Sequence, residues 1–254
     1  MTPAAPGHGT LENVGPAHVK KTITLPLPSP TAVAGKLEPM VRQRARIRFA
    51  KQEDLRLIGH RDLVRTLQRM FRRAGIRLAM SQGFHPKPRM SFPSALAVGI
   101  AGLDEVMEVE MAEPDSAEQL QKKLAPRLVP GLTLRGVEIL PPGTPKARVR
   151  STTWEIPISP ERLAQTASRI SRLAADPASP APAREPEPAA DGCGAVDPRR
   201  SLEALTLREG VLHMRLRASP LRSAGPRDVL AALGLDDLER TGVYLTRTTV
   251  ELEP

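Results

Sequence analysis

The 254-residue sequence contains little cysteine and few aromatic side chains. Cys193 is its one cysteine, which excludes a disulfide framework and any zinc site or iron–sulfur cluster built from cysteines of this chain alone. Aromatic residues make up 2% of the chain, so the core must consist of aliphatic side chains and methionine. No apolar run reaches about 18 residues, and the first residues lack the basic-then-apolar order of a signal peptide. We therefore expect a soluble, cytoplasmic protein without a membrane span.

Acidic residues are scarce in one stretch, residues 42–89. It holds 14 Lys and Arg residues against Glu53, Asp54 and Asp62, whereas the whole chain has a net charge of +9. The remainder of the chain is therefore slightly acidic. Such local basicity is typical of a binding site for a polyanion.

Hydrophobic periodicity predicts a strand and a helix in this stretch. Residues 44–50 alternate between arginine and apolar side chains, which indicates a half-buried strand with a basic outer face. From about His60 to Ala74 the apolar residues recur on one helical face, and Gly75 is suited to end that helix. The opposite face collects five arginines: Arg61, Arg65, Arg69, Arg72 and Arg73.

A loop rich in glycine and proline, SQGFHPKPR, follows the helix. Gly83 permits a turn, and the two prolines, Pro86 and Pro88, stiffen the backbone. The loop therefore suits a preorganised site. Its candidate binding residues are Ser81, Gly83, Phe84, His85, Lys87 and Arg89.

The order of predicted elements repeats once along the chain. The first half continues with strands at 76–80, 105–111 and 132–140 and a helix at 116–124 capped by Ser116. The second half has strands at 152–158, 202–207, 211–217 and 243–252 and helices at 160–175 and 226–233. Each half thus has the order β-α-β-β-α-β, which predicts an α+β fold of two tandem ferredoxin-like units.

Proline content sets the predicted domain boundaries. Residues 1–41 form a disordered, Pro-rich tail, 42–142 the first ferredoxin-like unit and 150–254 the second. Within the second unit, residues 176–198 form a mobile insertion rich in proline and alanine. Cys193 lies in this insertion without a basic neighbour, so we treat it as incidental.

The stretch between Arg46 and Glu110 resembles the radical SAM-linked proteins, a family of uncharacterised domains fused to or encoded beside radical S-adenosylmethionine enzymes. RIRFAKQEDLRLIGHRDL and RAGIRLAMSQGFHPKPRMSF carry the resemblance, and VDPRRSLEAL and GPRDVLAALGLDDLERTGVYLTRT are similar to the family's ending. The resemblance covers residues 42–254. The sequence departs from the family at Gly59, where the family usually has a serine.

The resemblance implies an accessory or substrate-binding module that works with a radical SAM protein. S-adenosylmethionine and the iron–sulfur cluster are expected on that partner, because this chain has no CxxxCxxC motif. The family's association with RNA-processing genes favours RNA as the anionic substrate. It supplies no reaction for this chain, which binds no cofactor of its own by this interpretation.

Several residues allow two interpretations. The arginine face of the helix is either a plain solvated surface or a polyanion site, and like charges at i,i+4 without acidic partners favour the second. Phe84 either stacks on a substrate ring or folds back into the core. His60 and His85 either have local structural roles or act as general acid and base in an endoribonuclease. A metal site from His60, His85, Asp62 and Glu105 lacks ligand pairs at helical spacing, so we predict none.

The sequence has no phosphate-binding glycine loop, no G-x-S-x-G and no paired carboxylates in a recognisable cleft, and so gives no positive sign of an enzyme. We predict a non-catalytic module that binds RNA or another anionic substrate. One alternative is an endoribonuclease that uses His60 or His85. The other is an adaptor whose basic face docks an acidic partner protein.

Overall fold

The computed structural model describes residues 43–175, 197–218 and 223–254. The predicted tail and nearly all of the predicted insertion, including Cys193, lie outside the described residues. The described part has four helices: α1 (His60–Arg73), α2 (Ala117–Leu124), α3 (Leu163–Ala175) and α4 (Pro226–Ala232). It has eight strands: β1 (Gln43–Lys51), β2 (Met90–Ser91), β3 (Ala101–Met111), β4 (Leu132–Leu140), β5 (Val149–Pro157), β6 (Leu202–Arg208), β7 (Val211–Arg217) and β8 (Thr246–Leu252).

All eight described strands belong to one sheet, so the fold is mixed α/β of the α+β type. The strand order is β4-β1-β3-β8-β5-β7-β6, and β2 pairs with β3. β3 and β8 join the two halves by a short parallel ladder, in which Ala101 is opposite Thr246 and Gly102 is opposite Arg247. The other ladders are antiparallel. Tandem ferredoxin-like units remain a prediction, because the halves share a continuous sheet.

Helix α1 forms where the sequence predicts it. Its buried residues are Leu63, Leu67, Met70 and Phe71, and its five arginines are exposed. Gly75 follows the helix with φ +70°, a left-handed conformation that glycine adopts without strain. Since the buried face packs against β1 and β3 residues such as Ile47 and Met107, the arginine face points away from the sheet.

Other local predictions are confirmed with small changes of boundary. Strand β4 has the predicted bounds, and the Ser116 hydroxyl accepts the amide hydrogen bond of Gln119 at the start of α2. Glu209 and Gly210 have φ +50° and +77°, as a two-residue hairpin turn between β6 and β7 requires. The helix predicted to start at Pro160 begins instead with a 3₁₀ turn, Pro160–Arg162, and Ser159 makes no capping bond.

Two strand predictions need correction. Residues 76–80 form only isolated bridges, Leu78 to Met111 and Met80 to Pro88, and the paired strand lies later, at β2. Strand β3 begins earlier than predicted and is buried on both faces rather than one. The sequence shows neither feature, because both depend on segments that pack against β3 from elsewhere in the chain.

The described part has two hydrophobic clusters. The first contains β1, α1, β3 and α2 side chains, and the second is built mainly from β5, β7, α4 and the segment before β8. Leu96 and Ile100 belong to the second cluster although they precede β3. No helix of the described residues combines the length and hydrophobicity that a bilayer span requires.

Three charged side chains are buried where the halves join. Arg247 is 2% exposed and donates two hydrogen bonds to the carboxylate of Glu105, which is 4% exposed. The Arg247 guanidinium also donates to the Ser94 hydroxyl at 2.8 Å and lies 5.2 Å from the centre of the Trp154 ring. Lys51, fully buried at the end of β1, interacts electrostatically with both charges. The cluster therefore has two cations and one anion.

The buried ammonium group of Lys51 has few favourable interactions to offset its loss of hydration. Its ammonium donates to the Ile58 carbonyl at 2.9 Å. Burial lowers the pKa of Lys51 from 10.5; Glu105 opposes this shift and Arg247 adds to it. The charged form of Lys51 is therefore disfavoured in the folded protein.

We expect Glu105→Gln to destabilise the protein more than Arg247→Met. The first change leaves two buried cations without a carboxylate, which costs about 3–5 kcal/mol. The second leaves Glu105 beside Lys51, so its charge stays compensated. Urea unfolding of the full chain measures both free energies, and equal losses or the reverse order would contradict the assignment of one carboxylate to two cations.

We also expect Lys51→Met to stabilise the protein at neutral pH, by on the order of 1 kcal/mol. Because the folded pKa of Lys51 is lowered, the unfolded state binds more protons, and wild-type stability rises as pH increases towards 10.5. The advantage of the variant should therefore shrink over that range. Lys122→Met, which alters an exposed lysine of α2, is the control. An advantage that does not change with pH would be the contrary result.

Candidate polyanion-binding surface

The arginines of β1 are neutralised within the sheet. Arg44 donates to Glu108 at 2.6 Å, and Arg46 contacts Glu108 at 3.1 Å and Glu138 at 3.4 Å. Arg48 pairs with Asp104. Glu108 is 3% exposed, and its buried carboxylate accepts hydrogen bonds from both Arg44 and Arg46. The predicted basic outer face of this strand is thus a set of ion pairs rather than a free cationic surface.

The arginines of α1 behave differently. Arg65 contacts Asp62 at 3.2 Å, three residues earlier on the helix. For the other four, no ion pair or side-chain hydrogen bond occurs among residues 43–175, 197–218 and 223–254. These four exposed residues, here called the α1 arginine face, are Arg61, Arg69, Arg72 and Arg73.

The loop from Ser81 to Lys87, here called the Phe84 loop, is closed at its base by hydrogen bonds. The Ser81 amide donates to the Lys87 carbonyl at 2.8 Å, and the Lys87 amide donates to the Ser81 hydroxyl at 2.9 Å. Two residues further from the tip on each side, the Arg89 amide donates to the Ala79 carbonyl at 2.8 Å. The base of the loop is therefore fixed while its tip projects into solvent.

The base is also anchored to strand β3. The Ala79 amide donates to the Glu110 carbonyl at 2.7 Å, and the Glu110 amide donates to the Arg89 carbonyl at 3.0 Å. The Arg89 guanidinium contacts the Glu110 carboxylate at 3.3 Å. Of the predicted binding residues, Ser81 and Arg89 thus hold the loop in place. Gly83, with φ +120°, makes the turn at its tip, a conformation that side-chain-bearing residues rarely adopt.

Phe84, His85 and Lys87 are the predicted residues of the Phe84 loop that present exposed side chains. Phe84 has a relative exposure of 102%, so the interpretation that it folds back into the core is wrong. His85 makes no side-chain hydrogen bond within the described part of the chain, and neither does the Lys87 ammonium. The loop therefore presents one aromatic ring, one imidazole and one ammonium group to solvent.

The two candidate catalytic histidines do not share a site. His60 is the first residue of α1 and is half-buried, with its ring edge-on to Phe92 at 5.0 Å between centroids. His85 lies at the exposed tip of the Phe84 loop. No hydrogen bond among the described residues connects them. The structure thus gives them no common reaction geometry, and the endoribonuclease alternative stays a prediction.

The structure does not connect the α1 arginine face to the Phe84 loop by any hydrogen bond or ion pair of described residues. Their separation along the chain bounds the distance between them. Ser81 is eight positions after Arg73, so their Cα atoms lie at most about 29 Å apart. A linear polyanion is long enough to reach from one to the other at any separation within this bound.

Sequence analysis missed the buried charges around Arg247. A cavity of about 400 Å³ adjoins this residue, with mostly apolar walls that include Ile100, Trp154 and Leu216. The only feature of the sequence that points to these buried charges is Arg247 itself, an arginine inside a predicted strand. Its partner Glu105 lies 142 residues away in the chain. Among the described residues, no group of three His, Cys, Asp or Glu side chains is placed to hold a metal ion.

Comparison with known proteins identifies a family but no activity. The family model for an uncharacterized protein conserved in bacteria, DUF2344, matches residues 44–219, and the chain belongs to this family. No curated protein matches. Among solved structures, this chain is similar to a crystal structure of an unknown protein from Galdieria sulphuraria. The identity is 15% and the TM-score 0.25, over 84% of this chain and 99% of that one.

We expect Arg69→Glu to stabilise the protein. Arg69 lies one helical turn from Arg65, Arg72 and Arg73, so a carboxylate there replaces three repulsions by attractions, worth on the order of 1 kcal/mol in total. Thermal unfolding at low salt measures the gain, which should shrink as salt increases. Arg135→Glu, at an exposed arginine of β4, is the matched control and should change little. A destabilised Arg69→Glu variant would show that this arginine has an unrecognised structural role.

Proposed function

We propose that this chain is an accessory, non-catalytic module that binds an anionic substrate, with RNA as the substrate class. The α1 arginine face supplies contacts to phosphates, and the Phe84 loop supplies a second contact region. One observation carries the proposal: four exposed arginines lack acidic partners in the described part, whereas the β1 arginines are paired.

The physical argument rests on the difference between these two sets. A surface maintained for stability or solubility intersperses opposite charges, and β1 follows that rule. Helix α1 has one acidic residue, Asp62, against six basic ones over its fourteen residues if His60 is counted. Unpaired like charges on one helical face destabilise the helix slightly. They are favourable once a polyanion supplies phosphates and releases its counterions.

The partnership with a radical SAM protein is part of this proposal and is supported by the resemblance of the SQGFHPKPRMSF stretch. S-adenosylmethionine and the iron–sulfur cluster would then lie on the partner. We also propose that each half is a ferredoxin-like unit. The strand order supports this: β4-β1-β3 with β2 beside β3 in one half, and β8-β5-β7-β6 in the other, have equivalent connectivity.

An RNA titration tests the proposal. Fluorescence anisotropy of a labelled single-stranded RNA is measured at about 50 and about 200 mM salt, the range in which phosphate-dominated binding weakens steeply. We expect wild type to bind, and the Arg61/Arg69/Arg72→Glu variant to lose more than about tenfold in affinity. The slope of log K against log salt concentration should be shallower for this variant by about 2, because three phosphate contacts are gone.

The matched control is Arg135/Arg172/Arg208→Glu, which makes the same change in net charge at exposed arginines outside α1 and the loop. It should retain most of the wild-type affinity. An equal loss in both variants would mean that net charge alone attracts RNA. Absence of binding at about 50 mM salt would refute the proposal and favour the adaptor alternative, in which an acidic partner protein co-purifies with wild type and not with the α1 variant.

A further inference from the structure

Phe84 is the most exposed of the large hydrophobic side chains in the described part of the chain. Phe49 and Phe71 are buried, and Phe92 is half-buried against His60. A chain with so few aromatic residues therefore leaves one ring entirely in water. Full exposure of a phenylalanine forgoes the favourable free energy of burying its ring.

The exposure is a consequence of how the loop is built. The base of the Phe84 loop is fixed by its own hydrogen bonds and by the backbone of Glu110 in β3. Gly83 turns the chain immediately before the ring, with nothing within 4 Å of the Cβ that a substitution would add. Pro86 restricts the backbone just after His85. The loop thus holds Phe84 away from the core, fully exposed.

The immediate surroundings of the ring are basic. Lys87 lies three residues after Phe84 and its ammonium has no acidic partner among the described residues, and His85 is exposed beside it. A flat apolar ring next to a cation is complementary to a nucleobase next to its phosphate. An apolar anchor for a protein pocket requires no such charge.

We propose that the Phe84 loop binds an unpaired base by stacking on Phe84, so that this surface selects single-stranded RNA over duplex RNA. The inference rests on the proposed function and specifies its substrate. In a duplex the faces of the bases are occupied by their neighbours, and a side chain on a surface loop cannot stack on them without unpairing. Phosphates of a duplex remain accessible to the α1 arginine face, so the arginines alone do not discriminate between the two forms.

The test measures the affinity of the full chain for a single-stranded RNA of about 12 nucleotides. It compares this affinity with that for the same RNA annealed to its complement. Wild type should bind the single strand at least about tenfold more tightly. Phe84→Leu should weaken single-strand binding by about 5- to 150-fold, the range for loss of one stacked base, and leave duplex binding unchanged. Phe84→Tyr, which keeps the ring, should bind as wild type does.

Phe84→Trp supplies a readout specific to stacking. Its fluorescence should be quenched by the single strand and not by the duplex, whereas the native Trp154 is buried and gives a constant background. Because Phe84 makes no core contact, all these variants should unfold at the wild-type temperature.

The possible results distinguish a failure of the stacking inference from a failure of the proposed function. If Phe84→Leu leaves single-strand binding unchanged or weakens both forms equally, while the Arg61/Arg69/Arg72→Glu variant loses both, the stacking inference is wrong and the polyanion surface stands. If wild type binds neither RNA, both are wrong. Loss of a co-purifying protein from Phe84→Leu in that case would identify Phe84 as a protein anchor.

Discussion

The ion pair between Glu105 and Arg247 is the interaction on which the rest of the structure depends. Strands β3 and β8 pair over only two residues, Ala101–Gly102 with Thr246–Arg247, and this short ladder joins the halves of the sheet. The buried pair closes the junction and, through the Ser94 hydroxyl, also fixes the segment between β2 and β3. That segment leads into β3, and β3 anchors the base of the Phe84 loop. The Phe84 loop is therefore connected to the buried ion pair through strand β3.

Arginine has two distinct uses in the basic stretch. In β1 it forms ion pairs with Glu108, Glu138 and Asp104 across neighbouring strands, where cross-strand pairing favours opposite charges. In α1 three of the four neighbours of Arg69 at i±3 and i±4 are themselves arginines, and the rest of the protein supplies no carboxylate to this face among the described residues. The local excess of positive charge is thereby concentrated on one helix and one loop.

Local features of the fold could be predicted from the sequence, and long-range ones could not. The α1 periodicity, the Ser116 cap and the Glu209–Gly210 turn depend on residues within one or two turns of each other, and all three are present. The Glu105–Arg247 pair joins residues far apart in the chain, and residues 76–80 form only isolated bridges, one of them to Met111 at the end of β3. The candidate site divides in the same way. Exposure of the arginines follows from helical spacing, whereas the structural roles of Ser81 and Arg89 depend on tertiary contacts.

The features on which the proposed binding rests are those that contribute least to stability. Four like charges on one helical face and a phenylalanine in water both raise the free energy of the isolated protein. Neither is forced by the fold, because the α1 core face and the hydrogen bonds at the loop base would be unchanged with other residues at these positions. A ligand with phosphates and an accessible aromatic face converts both unfavourable terms into favourable ones. A plain solvated surface explains the arginines but not the phenylalanine, and an anchor for an apolar protein pocket explains the phenylalanine but not the arginines. Single-stranded RNA accounts for both with one ligand.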